Sequence, residues 1–85
     1  MSQIASLSLN TTWKPFSEII TPEDDVNYYI QNRGSDFLIA CEGDPQSDEG
    51  IFVKPYELLK YKKGSQSLYL RASSSNCTIN VSNEG

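Results

Sequence analysis

Histidine is absent from the 85 residues, and with it go the commonest general base, triad base and zinc ligand. Cysteine occurs twice, at Cys41 and Cys77, in no CxxC or other metal-ligating spacing. Positive charge is scarce: seven Lys and Arg against eleven Asp and Glu leave a net charge of −4. That balance argues against a nucleic-acid partner, since phosphate binding needs a basic face. No apolar run approaches the ~18 residues of a membrane helix, so no membrane partner is expected. Residues 1–10 lack the basic start and apolar stretch of a secretory signal. The expectation is therefore synthesis in a cytoplasm, with the sequons at Asn10, Asn76 and Asn80 as products of composition. A chain this short holds one small domain with a thin core, and self-association is a common extra source of stability at that size.

What is present is a regular alternation of turn formers and short apolar runs. Clusters of Gly, Pro, Asn, Asp and Ser at 21–25, 32–35, 43–50, 63–67 and 73–76 separate runs rich in Ile, Val, Leu, Phe and Tyr. The runs lie roughly ten residues apart, the spacing of a small sandwich or barrel. Leu68, Leu70 and Ala72 alternate with Tyr69 and Arg71; Cys77, Ile79 and Val81 alternate with Thr78, Asn80 and Ser82. Such period-two patterns mark half-buried antiparallel strands. Phe37, Ile39 and Cys41 belong to a more continuous apolar stretch, which reads as a strand buried on both sides. The predicted fold is all-β, a single compact antiparallel β-sandwich or barrel of about six or seven short strands. Residues 1–10 read as a flexible or loosely ordered N-terminal segment, and 11–85 as a single β domain. The expected core is Val26, Tyr28, Ile30, Leu38, Ile39, Val53, Leu59, Leu68, Leu70, Ile79 and Val81.

Two stretches carry a competing helical signal. Thr21-Pro22-Glu23-Asp24 has the cap, proline and acids of a helix start, and Val26, Tyr29, Ile30 and Arg33 keep helical spacing. The strand reading is preferred because Val, Tyr and Ile are indifferent helix formers that suit a pleated surface. Glu57 to Lys60 has the composition of a helical turn, but Pro55 reads better as a turn opener, with Lys60 and Lys62 facing solvent from the strand that follows.

No residue set assembles into catalytic machinery. Cys41 lies in the apolar stretch Leu38-Ile39-Ala40-Cys41 beside Glu42, the opposite of the electropositive setting a nucleophilic thiolate needs. Both cysteines read as reduced core thiols, and a Cys41–Cys77 bridge stays open only if their strands are adjacent. Asp44, Asp48 and Glu49 in the loop 43–50 lack the spacing of a calcium loop. The expectation is a non-enzyme with no catalytic residue, cofactor or metal. The patch Lys54, Lys60, Lys62 and Lys63, interleaved with Tyr56 and Tyr61, reads first as edge protection, then as a docking patch, and last as a nucleic-acid site. The candidate interface gathers Trp13, Tyr29, Tyr56, Tyr61 and Tyr69 with Lys60, Lys62 and Arg71. Tyr and Trp anchor protein interfaces or stack on sugars, so a carbohydrate- or receptor-binding module using Trp13, Tyr29, Tyr61 and Tyr69 is the alternative.

The order of features resembles that of small β-domain virion proteins of tailed bacteriophages. The likeness runs from the early Trp13 through Val26–Asn32, ending in Gln31-Asn32, and the apolar strand 37–42. It continues through Gly50-Ile51-Phe52-Val53-Lys54-Pro55-Tyr56-Glu57, the turn at Gly64, Leu68-Tyr69-Leu70-Arg71-Ala72 and Thr78-Ile79-Asn80-Val81. It covers roughly residues 11–83. The acidic cluster 23–25 and the lysine run 60–63 are not part of that pattern. The resemblance implies a non-enzymatic particle component located in the virion, a homo-oligomer with a trimer favoured, partnered by other virion proteins on head, neck or tail. A phage-encoded regulatory protein acting on a host protein is the second alternative.

Overall fold

The computed structural model describes residues 2–45, 50–64 and 66–84. The strands in chain order are β1 (Ser2–Leu9), β2 (Lys14–Pro15), β3 (Asn27–Asn32), β4 (Leu38–Glu42), β5 (Ile51–Val53), β6 (Leu58–Lys62), β7 (Leu68–Ala72) and β8 (Cys77–Asn83), with a 3-10 turn at Phe16–Glu18. They form two four-stranded antiparallel sheets, β1-β8-β3-β6 and β2-β7-β4-β5. Packed together, these make the small all-β sandwich that the spacing of apolar runs predicts. Residues 27–32 are strand and not helix, and their burial alternates strictly. Tyr28 and Ile30 thus reach the core while Tyr29 and Gln31 face out.

One expectation is corrected. The N-terminal segment is not loosely ordered over its described part: Ser2–Leu9 is an eight-residue strand paired with β8, with Leu9 opposite Cys77 and Leu7 opposite Ile79. Serine is a weak strand former, so composition hid this strand. Its Ala5, Leu7 and Leu9 nevertheless alternate with Ser6 and Ser8 and pack on the core. Among the described residues the strands number eight, with β1 and the two-residue β2 added to the runs that were legible.

Between the sheets lie Ile30, Leu38, Leu70, Ile79 and Val81, all essentially inaccessible. Phe16, on the 3-10 turn, is the largest fully buried side chain and plugs one end, edge-on to Tyr28 and Tyr61 at ring separations of 5.7 and 5.5 Å. Val26 and Leu59, expected in the core, sit partly buried against it. Gly50 starts β5 with φ +117°, and a Cβ there would lie 2.7 Å from the Ala40 carbonyl oxygen. Only glycine lets the chain turn this closely onto β4.

Candidate functional site

A sheet that packs on one side presents its alternate residues to solvent on the other. In the first sheet those residues are Gln3, Ser6, Ser8, Thr78, Asn80, Ser82, Gln31, Lys60 and Lys62, with Tyr29 and Leu58 among them. In the second sheet they are Pro15, Tyr69, Arg71, Ile39, Cys41 and Phe52. Ile39 stands opposite both Arg71 and Phe52, and the Arg71 guanidinium lies 5.0 Å from the Trp13 ring centre. The row Trp13–Arg71–Ile39–Phe52 thus crosses the sheet. Phe37 meets Phe52 edge-on at 6.0 Å. Ile39 and Cys41 are buried although they point away from the core, while Phe52 is 60% and Ile51 57% exposed. The strand read as apolar on both sides is so, and the outer side of its sheet is unusually aromatic.

The predicted interface residues do not converge on one surface. Trp13, Tyr69 and Arg71 share the outer face of the second sheet; Tyr29, Lys60 and Lys62 lie on the outer face of the first. Tyr61 is corrected to core: it is 5% exposed because it sits opposite Tyr28 on the inward phase of β6, against Phe16. Burial, followed by the charge of Glu42, raises its phenol pKa above the ordinary value. Tyr56 projects from the turn joining β5 to β6. Sequence reading missed Phe37, Ile51 and Phe52 as surface residues; the signal was the unbroken apolar triplet Ile51-Phe52-Val53 between Gly50 and Lys54-Pro55.

The lysine patch is partly neutralised. Lys62 pairs with Asp25 at 3.7 Å and Lys63 with Asp24 at 3.4 Å, joining the two charge clusters that were read separately. Exposed pairs of this kind contribute ~0–1 kcal/mol, but they leave little net positive field for phosphates.

Polar chemistry concentrates where the 32–36 and 73–77 turns meet. Asn32 is fully buried and fully bonded: Nδ2 donates to the carbonyls of Asp36 (2.8 Å) and Val53 (2.9 Å), and Oδ1 accepts from Gly34 N–H (2.9 Å) and the Cys77 thiol (3.0 Å). Asp36 accepts from the Ser75 and Ser74 amides and the Ser73 and Ser74 hydroxyls, which hold its carboxyl well below the usual range. Burial, and then the Asp36 charge, push the Cys77 thiol up to about 11, so it is protonated at neutral pH. No disulfide joins the two cysteines; Cys77 points into the core from the first sheet and Cys41 outward from the second. These groups tie the two turns together. Among the described residues no three His, Cys, Asp or Glu side chains gather around a metal position; Asp48 and Glu49 of the acidic loop lie outside the described residues.

Recesses open on the surface among the described residues. A groove of about 290 Å³ runs between the β5 and β6 edges, lined by Ala40, Ile51, Leu59, Tyr61 and Leu68 among others. A polar cleft of about 290 Å³ lies beside Trp13, with Ser8, Asn10 and Thr12. A third, of about 390 Å³, lies beside Phe16 and Tyr61. Comparison of the chain with protein-family models, curated proteins and solved structures finds no match.

Proposed function

We propose that this chain is a non-enzymatic assembly module, a small bacteriophage virion component that self-associates and docks on the head, neck or tail. The observation that carries the reading is the second sheet, which is apolar on its outer side as well as its inner one. Antiparallel sheets that face water on one side alternate apolar and polar residues, as the first sheet does. At its β5 edge Phe52 and Phe37 stay exposed and edge-on to each other, and an exposed apolar patch on a small domain marks an interaction site. Aromatic residues with an arginine, and no carboxylate among the outward residues of β2, β4, β5 and β7, make the composition of an interface centre. The virion setting rests on the sequence resemblance. Against the glycan alternative, Tyr61 is inside, the Trp13 ring lies under Arg71, and Tyr29 lies on the opposite sheet from Tyr69. Of the four, only Trp13 and Tyr69 share a face.

Light scattering across protein concentration tests the reading. The expected result is more than one copy per particle at high concentration. A single copy at every concentration overturns it.

A further inference from the structure

We infer that self-association runs through the free edge of β5, with a second copy adding its own β5 antiparallel about Phe52. This rests on the self-association proposed above and specifies its route. A sandwich of two open sheets has four edge strands, here β1, β6, β2 and β5. Natural edges are guarded by charge, proline or bulges, because their unpaired amides and carbonyls template foreign strands. β1 is interrupted by a bulge between Gln3 and Ala5, β2 consists of Lys14 and Pro15, and β6 carries Lys60 and Lys62. Among the described residues β5 is the unguarded edge: Ile51-Phe52-Val53, with its first two side chains more than half exposed.

The same three residues complement themselves. Antiparallel pairing centred on Phe52 sets Ile51 opposite the Val53 of the second copy, joining two β-branched side chains. Lys54 then falls opposite Gly50, which has no side chain to collide and no charge. Pairing β6 with its copy would instead bring lysine rows together. The pairing extends the Trp13–Arg71–Ile39–Phe52 row into the second copy and covers the mouth of the groove at Ile51 and Leu59. Ile51 and Phe52 bring roughly 200 Å² per copy, as large apolar side chains do, against the ~800 Å² per partner of a standard interface. The pair is therefore weak and concentration-dependent. It is isologous, so it closes as a two-fold dimer, in place of the trimer that the resemblance implies.

Phe52→Cys tests the geometry. In the centred register the β-carbons of the two introduced thiols sit at the separation of a directly opposed pair, within reach of a disulfide. The expected result is a disulfide-linked dimer on non-reducing gels after mild oxidation, with none from wild type or from Ser82→Cys on the other sheet. Phe52→Lys should remain folded by circular dichroism, since the side chain is exposed, and should abolish the dimer at concentrations where the wild type forms it. If wild type associates but Phe52→Lys associates equally, if Phe52→Cys does not cross-link, or if the assembly is a strict trimer, the β5 route falls and the assembly role stands. A wild-type chain that is monomeric at every concentration removes both.

Discussion

The two sheets share one core and differ outside it. Beyond Ile79 and Val81 the first sheet directs outward mainly Ser, Thr, Asn and Lys, whereas beyond Leu38 and Leu70 the second directs outward Ile39, Cys41, Tyr69 and Phe52. Both are antiparallel and pack against each other, so the fold does not require the difference. An alternating strand needs one partner layer, and a strand apolar on both faces needs two. The molecule supplies the first layer and, on the second sheet, covers part of the outer face with its own Arg71 and Trp13. Phe52, at the β5 edge, stays exposed.

The contrast presumes that the two sheets are held as one unit, and the largest effect expected is at the tie between them. Asn32 ends β3 in the first sheet and donates to the Val53 carbonyl of the second. Asn32→Leu would leave that carbonyl, the Asp36 carbonyl and the Gly34 amide without their partner. At ~1–3 kcal/mol for each buried polar group left unpaired, a loss of about 3–5 kcal/mol is expected in the urea-unfolding free energy. A loss under ~1 kcal/mol would mean that the sheets are joined by apolar contact alone.

The contrast itself is tested by matched truncations on the two outer faces. Ile39→Ala removes a side chain that is 3% exposed although it points away from the core, and about 2–3 kcal/mol of stability should go with it. Ser6→Ala, at an exposed outward position of the first sheet, should stay within ~0.5 kcal/mol. Equal costs in thermal or urea unfolding would erase the distinction between the two faces.

Most of this architecture was legible in the sequence, for a physical reason. Strands with one wet face carry their orientation in every second residue, so 27–32, 68–72 and 77–83 declared both their existence and their inward side. Ser2–Leu9 did not, because its outward positions are serines whose local preference is for turns; its pairing with β8 is a tertiary effect. Phe16 was hidden in a two-residue strand and a single 3-10 turn, too short for any period. The surface was harder to read than the fold. Tyr61 looked available because it lies among lysines in sequence, but period two turns it inward. The Asp24–Lys63 and Asp25–Lys62 pairs join segments nearly forty residues apart, a proximity no local pattern encodes.

The turns that close the sandwich answer to pH. The bonds from Ser73, Ser74 and Ser75 depress the Asp36 pKa in the folded chain relative to the unfolded one. A depressed carboxyl contributes stability that is present above its unfolded pKa, near 3.9, and is lost as pH falls through the folded value. Asp36→Asn should therefore cost about 1–2 kcal/mol at neutral pH. The gap between variant and wild type should narrow once the pH drops below ~4, as read from urea midpoints at several pH values. A gap that is the same at acid and neutral pH would show that folding does not depress the Asp36 pKa.

The smallest effect expected lies at the crossing from the second sheet to the first. Lys54-Pro55-Tyr56-Glu57 is a tight turn closed by the Glu57 amide on the Lys54 carbonyl at 3.0 Å, and Tyr56 takes φ +68°. A non-glycine residue there pays the left-handed penalty of ~1–2 kcal/mol. The turn holds it in place: the Tyr56 amide donates to the Asn32 carbonyl at 2.6 Å, and its own carbonyl accepts from Gln31 Nε2 at 3.1 Å. The ring is 67% exposed, with the Arg33 guanidinium 5.9 Å from its centre, so it recovers little of that penalty by burial. Comparing Tyr56→Gly with Tyr56→Ala isolates the backbone term, because both variants lose the ring. Glycine should be the more stable of the two by about 1 kcal/mol in thermal unfolding. Alanine as stable as glycine would mean that the backbone relaxes out of the left-handed region, and with it would go the idea that this crossing holds Tyr56 outward at a cost to stability.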